Sequence, residues 1–98
     1  MAELLGSFSP KFVALTDDVL YGDIWTRTEL GGRDRSIVAV SAFVAGGNAS
    51  AVEGYLHFAK ANGVTRDEVV ELLTHLAFYG AWPQAVTAMT ITKSVFTD

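Results

Sequence analysis

The chain has 98 residues, a length for one domain, and at that size folding buries roughly 60–65% of the unfolded surface, so the core is sufficient but thin. Half of the residues are hydrophobic, 18% are charged and the net charge is −4; the seven Lys and Arg are scattered, which argues against nucleic acid as a partner. There is no cysteine, so disulfides, thiolate metal sites and thiol redox chemistry are excluded.

The apolar fraction exceeds what a small monomer can hide, and burial between subunits is its natural outlet, so a homo-oligomer is expected. No apolar run reaches the ~18 residues a membrane span needs, and the opening MAELLGSFSP lacks a basic n-region and a cleavage pattern. The expectation is no membrane partner and a cytoplasmic location.

Residues 1–9 read as a short flexible N-terminus and residues 10–98 as a single domain. Ser9-Pro10 suits a helix start, because proline is tolerated in the first turn. Phe12, Val13, Leu15, Val19, Leu20 and Ile24 predict an amphipathic helix from Pro10 to about Trp25. TRTELGG, Thr26 to Gly32, carries turn chemistry and breaks it. Arg33 to Ala45 then reads as a helix charged only in its first turn, by Arg33, Asp34 and Arg35. Beyond that turn it is apolar all round, so it is expected to be buried on most sides.

Gly46-Gly47-Asn48 makes the next turn and leads into GGNASAVEGYLHFAKANG, the stretch around which the chain is organised. Ala49, Val52, Leu56 and Ala59 recur in it at helical spacing, and Asn62-Gly63 closes the helix, since glycine readily takes the left-handed position past a C-terminus. Thr65 and Glu68 have capping-box spacing. The helix they start carries Val69, Val70, Leu72, Leu73, Leu76 and Ala77 to about Tyr79, where Gly80 and Pro83 interrupt. A final helix begins at Pro83 or Gln84 and runs through Val86, Met89, Val95 and Phe96; its threonines lower local propensity, so packing must hold it. The fold class is all-α, with about five helices joined by short turns.

Glu53 and His57 lie four positions apart, which places both side chains on one helix face at the edge of the apolar stripe. Two readings stand. A carboxylate that orients an imidazole makes a general acid–base pair, because histidine titrates near pH ~6.5. The same spacing makes a boundary ion pair worth ~0.3–0.5 kcal/mol, extended by Lys60. Glu71 and His75 repeat the spacing as a solvated face or subunit contact, or as ligands that join the first pair around Zn²⁺ or Fe²⁺. Asp34 and Arg35 either charge the mouth of a pocket or satisfy the amide end of their helix. Asp23 and Arg27 form a surface pair or border a cleft beside Trp25. Tyr21, Trp25, Phe58, Tyr79 and Trp82 are core or interface anchors, or walls for an aromatic or lactone ligand.

Four stretches resemble, in order and spacing, the carboxymuconolactone decarboxylase family, which includes alkylhydroperoxidase D: LYGDIWTR from Leu20, RDRSIVAVSA from Arg33, VEGYLHFAKANGVTRDEVVE from Val52 and HLAFYGAWPQAVTA from His75. The resemblance implies an all-helical fold assembled as trimers or hexamers. It also implies, for the decarboxylase branch, removal of the carboxyl group of 4-carboxymuconolactone in aromatic-acid catabolism. It matches the family's histidine to His57 and the glutamate one turn earlier to Glu53. Ser50 and Glu53 stand where the peroxidase branch has its two cysteines, which disfavours thiol peroxidase activity. Tyr55 stands where an arginine is usual, and Gly80 lies where some relatives carry cysteine.

The expectation that follows is a carboxy-lyase-like protein acting on an organic acid or lactone without a cofactor. His57 would be its proton shuttle and Glu53 the partner of His57, with Asp34, Tyr55 and Trp25 beside the substrate. The alternative is a non-catalytic small-molecule-binding or assembly protein on the same fold, and after it a metal-dependent helper with paired Glu/His ligands.

Overall fold

The structure, a computed structural model, describes residues 2–97 and is all-α, with no strand among the described residues. In order, α1 is Ala2–Leu5 and α2 is Pro10–Ala14, the latter running on through a π-helical stretch, Leu15–Tyr21, to a 3-10 turn, Ile24–Thr26. Then come α3 (Gly32–Ala45), α4 (Ala49–Ala61), α5 (Arg66–Leu76), a wide turn Ala77–Ala81, and α6 (Trp82–Val95). The chain forms two compact units, Met1–Gly32 and Arg33–Asp98, and the boundary falls at the end of the TRTELGG turn. The N-terminal stretch expected to be flexible contains α1; the parts of the sequence expectations that fall on Met1 and Asp98 lie outside the described residues.

In the first unit, Pro10 opens α2 as expected. The continuous amphipathic helix to Trp25 is replaced: beyond Ala14 the backbone widens to i→i+5 geometry through Tyr21. A wider turn carries residue i+3 off the face of residue i, so apolar positions spaced for a 3.6-residue period fall out of phase. Phe12, Leu15, Val19, Leu20 and Ile24 are exposed. Gly22 ends the wide stretch, where a Cβ would lie 2.7 Å from the Asp18 carbonyl oxygen and 2.9 Å from that of Asp17.

In the second unit the glycine breaks after α3 and α4 are Schellman motifs. After α3, Gly47 takes φ +73 while its N–H donates to Val44 O and the Asn48 N–H donates to Phe43 O. After α4, Gly63 takes φ +88 while its N–H donates to Lys60 O and the Val64 N–H donates to Ala59 O. Both satisfy carbonyls that a helix end leaves orphaned. The capping box of α5 is present: Thr65 Oγ1 accepts from the Glu68 N–H, and the Glu68 carboxylate accepts from the Thr65 N–H. Between α5 and α6, Gly80 takes φ +86, which turns the chain.

The core consists of one stripe from each helix: Val40 and Val44 of α3, Val52, Leu56 and Ala59 of α4, Val69 and Leu73 of α5, and Ala88 and Val95 of α6. α6 packs against both α4 and α5. Its threonines are accommodated because Thr87, Thr90 and Thr92 each donate to the carbonyl four residues back, which leaves the buried Thr92 hydroxyl satisfied. The expectation for α3 needs correction. Only the face of Ser36, Val40 and Val44 is buried, and Val38 on the other side is 59% exposed, because in this chain the core covers a single stripe of the helix.

Candidate functional site

α4 presents its residues by phase. Val52, Leu56 and Ala59 point into the core, and Glu53 and His57, each one position further round, fall outside that stripe, on one face and one turn apart. Both are solvent-exposed. Among the described residues no ion pair joins them, so the boundary salt bridge is not made here. Lys60 reaches the other way: its Nζ donates to Val95 O at 3.2 Å and lies 5.5 Å from the centroid of Phe96, which ties α4 to the end of α6.

The remaining candidates fall in different places. Asp34 is exposed in the first turn of α3, 3.7 Å from an Arg33 guanidinium nitrogen. Tyr55 is half-buried, its ring 4.9 Å from Phe43 and 6.2 Å from Phe58, and residues two apart on a helix do not share a face, so it stands off the side of Glu53 and His57. Trp25 belongs to the N-terminal unit, where it stacks on Tyr21 at 6.5 Å. Tyr79 and Trp82 are not core anchors of this chain, being 73% and 57% exposed on the turn that leads into α6. His75 is exposed with its ring 5.1 Å from Tyr79, and among the described residues no three His, Asp or Glu side chains converge to hold a metal ion. The metal reading therefore has no supporting geometry.

Two concave features of the second unit were not foreseen. A cavity of about 80 Å³ lies beside the start of α4 and is lined by Phe43, Asn48, Ala49, Val52 and Gln84 among others. Gln84 Oε1 is buried with no hydrogen-bond partner among the described residues, and such an acceptor favours a donor from water or ligand. An apolar groove of about 400 Å³ runs between α5 and α6, lined by Leu73, Phe78, Trp82, Val86, Met89 and Lys93 among others. The signal for it was in the sequence: Phe78, Trp82 and Val86 recur every four residues, a stripe too apolar for an idle surface. Nothing in the sequence signalled the orphaned Gln84 oxygen, which depends on how three helices close.

The model of the carboxymuconolactone decarboxylase family matches residues 10–94. The chain belongs to the carboxymuconolactone decarboxylase family. It is 31% identical over 96 residues to 4-carboxymuconolactone decarboxylase of Acinetobacter baylyi, an alignment that covers 98% of this chain and 72% of that protein. It is also 31% identical over 80 residues to nitrosuccinic acid decarboxylase of Metarhizium robertsii, covering 80% of this chain but only 54% of the fungal protein. The family match takes in α2 to α6, including the α4 segment with Glu53 and His57. Among the described residues no helix is long and apolar enough to cross a membrane.

Proposed function

We propose that this member of the carboxymuconolactone decarboxylase family is a cofactor-free carboxy-lyase acting on a small lactone acid or related organic acid of aromatic-compound breakdown. It works in the cytoplasm as a trimer or hexamer. The observation that carries the reading is the presentation of Glu53 and His57 on successive turns of one face of α4, in a chain of this family. The names of both relatives support it, since each is a decarboxylase of a carboxylic acid.

The chemistry suits that pair. As the bond from the substrate carbon to its carboxylate breaks, CO2 leaves and the electron pair passes through the conjugated double bond into the lactone carbonyl as an enolate-like anion. The His57 imidazolium delivers a proton to a carbon of that anion and is reprotonated from solvent, while the Glu53 carboxylate orients the ring. An exposed pair is screened by water, so full effect requires that substrate or a neighbouring copy covers it.

The test is CO2 release from 4-carboxymuconolactone by the purified protein. His57→Ala is expected to abolish release, and unchanged release by that variant overturns the role of His57. The exposure of the pair favours one other reading, a protein that binds organic acids without turning them over. Saturable binding with no CO2 from any lactone acid would select it.

A further inference from the structure

The groove between α5 and α6 has the properties of a second ligand site, separate from Glu53 and His57. Its volume of about 400 Å³ lies within the ~300–1,000 Å³ usual for small-molecule sites. Its walls are apolar: Leu73 and Ala77 from the α5 side, and Trp82, Val86 and Met89 from α6. Phe78 and Trp82 meet edge to face at 5.4 Å and form its aromatic end. The hydroxyls of Thr74 and Thr90 are turned to their own helix, donating to Val70 O and Val86 O, so the lining offers a ligand few free donors. At the far end stands Lys93, which among the described residues pairs with no carboxylate. Lys93 lies eleven positions beyond Trp82 on α6, roughly 16 Å of helix at 1.5 Å per residue.

We propose that this groove binds an elongated amphiphilic anion, its apolar body along Trp82, Val86 and Met89 and its carboxylate at Lys93. A second copy of this chain fits less well. A two-fold contact would set this lining against itself and offer Lys93 no acid from it, whereas a carboxylate complements the charge.

The experiment is titration of decanoate, with decan-1-ol as the uncharged control, read by tryptophan fluorescence in a Trp25→Phe background that leaves Trp82 as the sole tryptophan. Decanoate is expected to give a saturable change and to bind more tightly than the alcohol. Lys93→Glu is expected to weaken decanoate by about tenfold or more and leave decanol unchanged, whereas Lys93→Arg stays within about threefold of the parent. His57→Ala is expected not to alter binding, so a failure here is distinct from a failure of the proposed decarboxylation. Equal affinity for acid and alcohol, indifference to Lys93→Glu, or no saturable response overturns the proposal. So does sedimentation showing that Trp82→Ser dissociates an oligomer whose Trp82 is blind to decanoate, because the groove is then a subunit contact.

Discussion

The guanidinium of Arg33, in the first turn of α3, is ion-paired with the carboxylate of Glu68, whose other oxygen accepts the Thr65 N–H to close the capping box of α5. One side chain thus satisfies an orphan amide at the start of one helix and fastens the start of another. Removing the cap itself is expected to cost about 1 kcal/mol in Thr65→Ala, measured by urea unfolding.

The same arrangement predicts a pH dependence. The Thr65 N–H first, and then Arg33, hold the Glu68 carboxyl below its ordinary value of 4.5. A folded-state value below the unfolded one adds stability that is fully present above the unfolded value and lost as pH falls through the folded one. The gap in unfolding midpoint between the parent and Glu68→Gln is therefore expected to be widest at neutral pH and to close in acid, below the usual carboxylate range. A gap that is constant down to the acid limit overturns the assignment.

Burial separates two apolar side chains that look alike in sequence. Leu56 is fully buried where α4 meets α6, so Leu56→Ala is expected to cost about 2–5 kcal/mol through lost transfer energy and a residual cavity. Phe78 is 75% exposed, and Phe78→Ala is expected to change the stability of the chain by no more than about 0.5 kcal/mol. Urea denaturation of both variants at equal protein concentration checks the contrast.

Gly80 turns the chain between α5 and α6 at φ +86 with nothing within 4 Å of where a Cβ would stand, so the cost of a side chain there is conformational only. Gly80→Ala is expected to lower stability by about 1–2 kcal/mol, the penalty of the left-handed region for an L-residue. Ala at the helical position Gly54, where the space is also open, is expected to be neutral or stabilising. Thermal melts should place Gly80→Ala below the parent and Gly54→Ala at or above it.

The features legible in the sequence were those set by local rules. Glycine pairs, the Thr65–Glu68 spacing and the 3.6-residue recurrence of Val52, Leu56 and Ala59 act over a few residues, and the elements they mark start within a residue or two of where they were read, though α5 ends at Leu76 and not near Tyr79. The widened turn from Leu15 to Tyr21 was hidden because the same apolar residues fit an ordinary helix until the backbone register changes. Which faces of α3 and of the Phe78–Trp82 stripe are covered was hidden for another reason: periodicity says that a face is apolar, and only packing says what meets it. The helical spacing of Glu53 and His57, and the offset of Tyr55 from their face, were plain for the same local reason, whereas the contact of the Tyr55 ring with Phe43 of α3 comes from packing.

Because Glu53 and His57 share a face and neither is gripped by an ion pair among the described residues, their effects on activity and on stability should separate. Exposed substitutions usually shift stability by less than about 0.5 kcal/mol, so His57→Ala and Glu53→Gln are expected to melt with the parent. Their effects on CO2 release are expected not to add. If the carboxylate acts by orienting the imidazole, removing the ring removes everything the carboxylate contributes, and the double variant releases CO2 no more slowly than His57→Ala alone. Glu53→Gln alone should lose less, since the amide still places a hydrogen-bonding oxygen beside the ring but carries no charge to stabilise it. Rates that multiply across the cycle would mean that the two side chains work on separate steps.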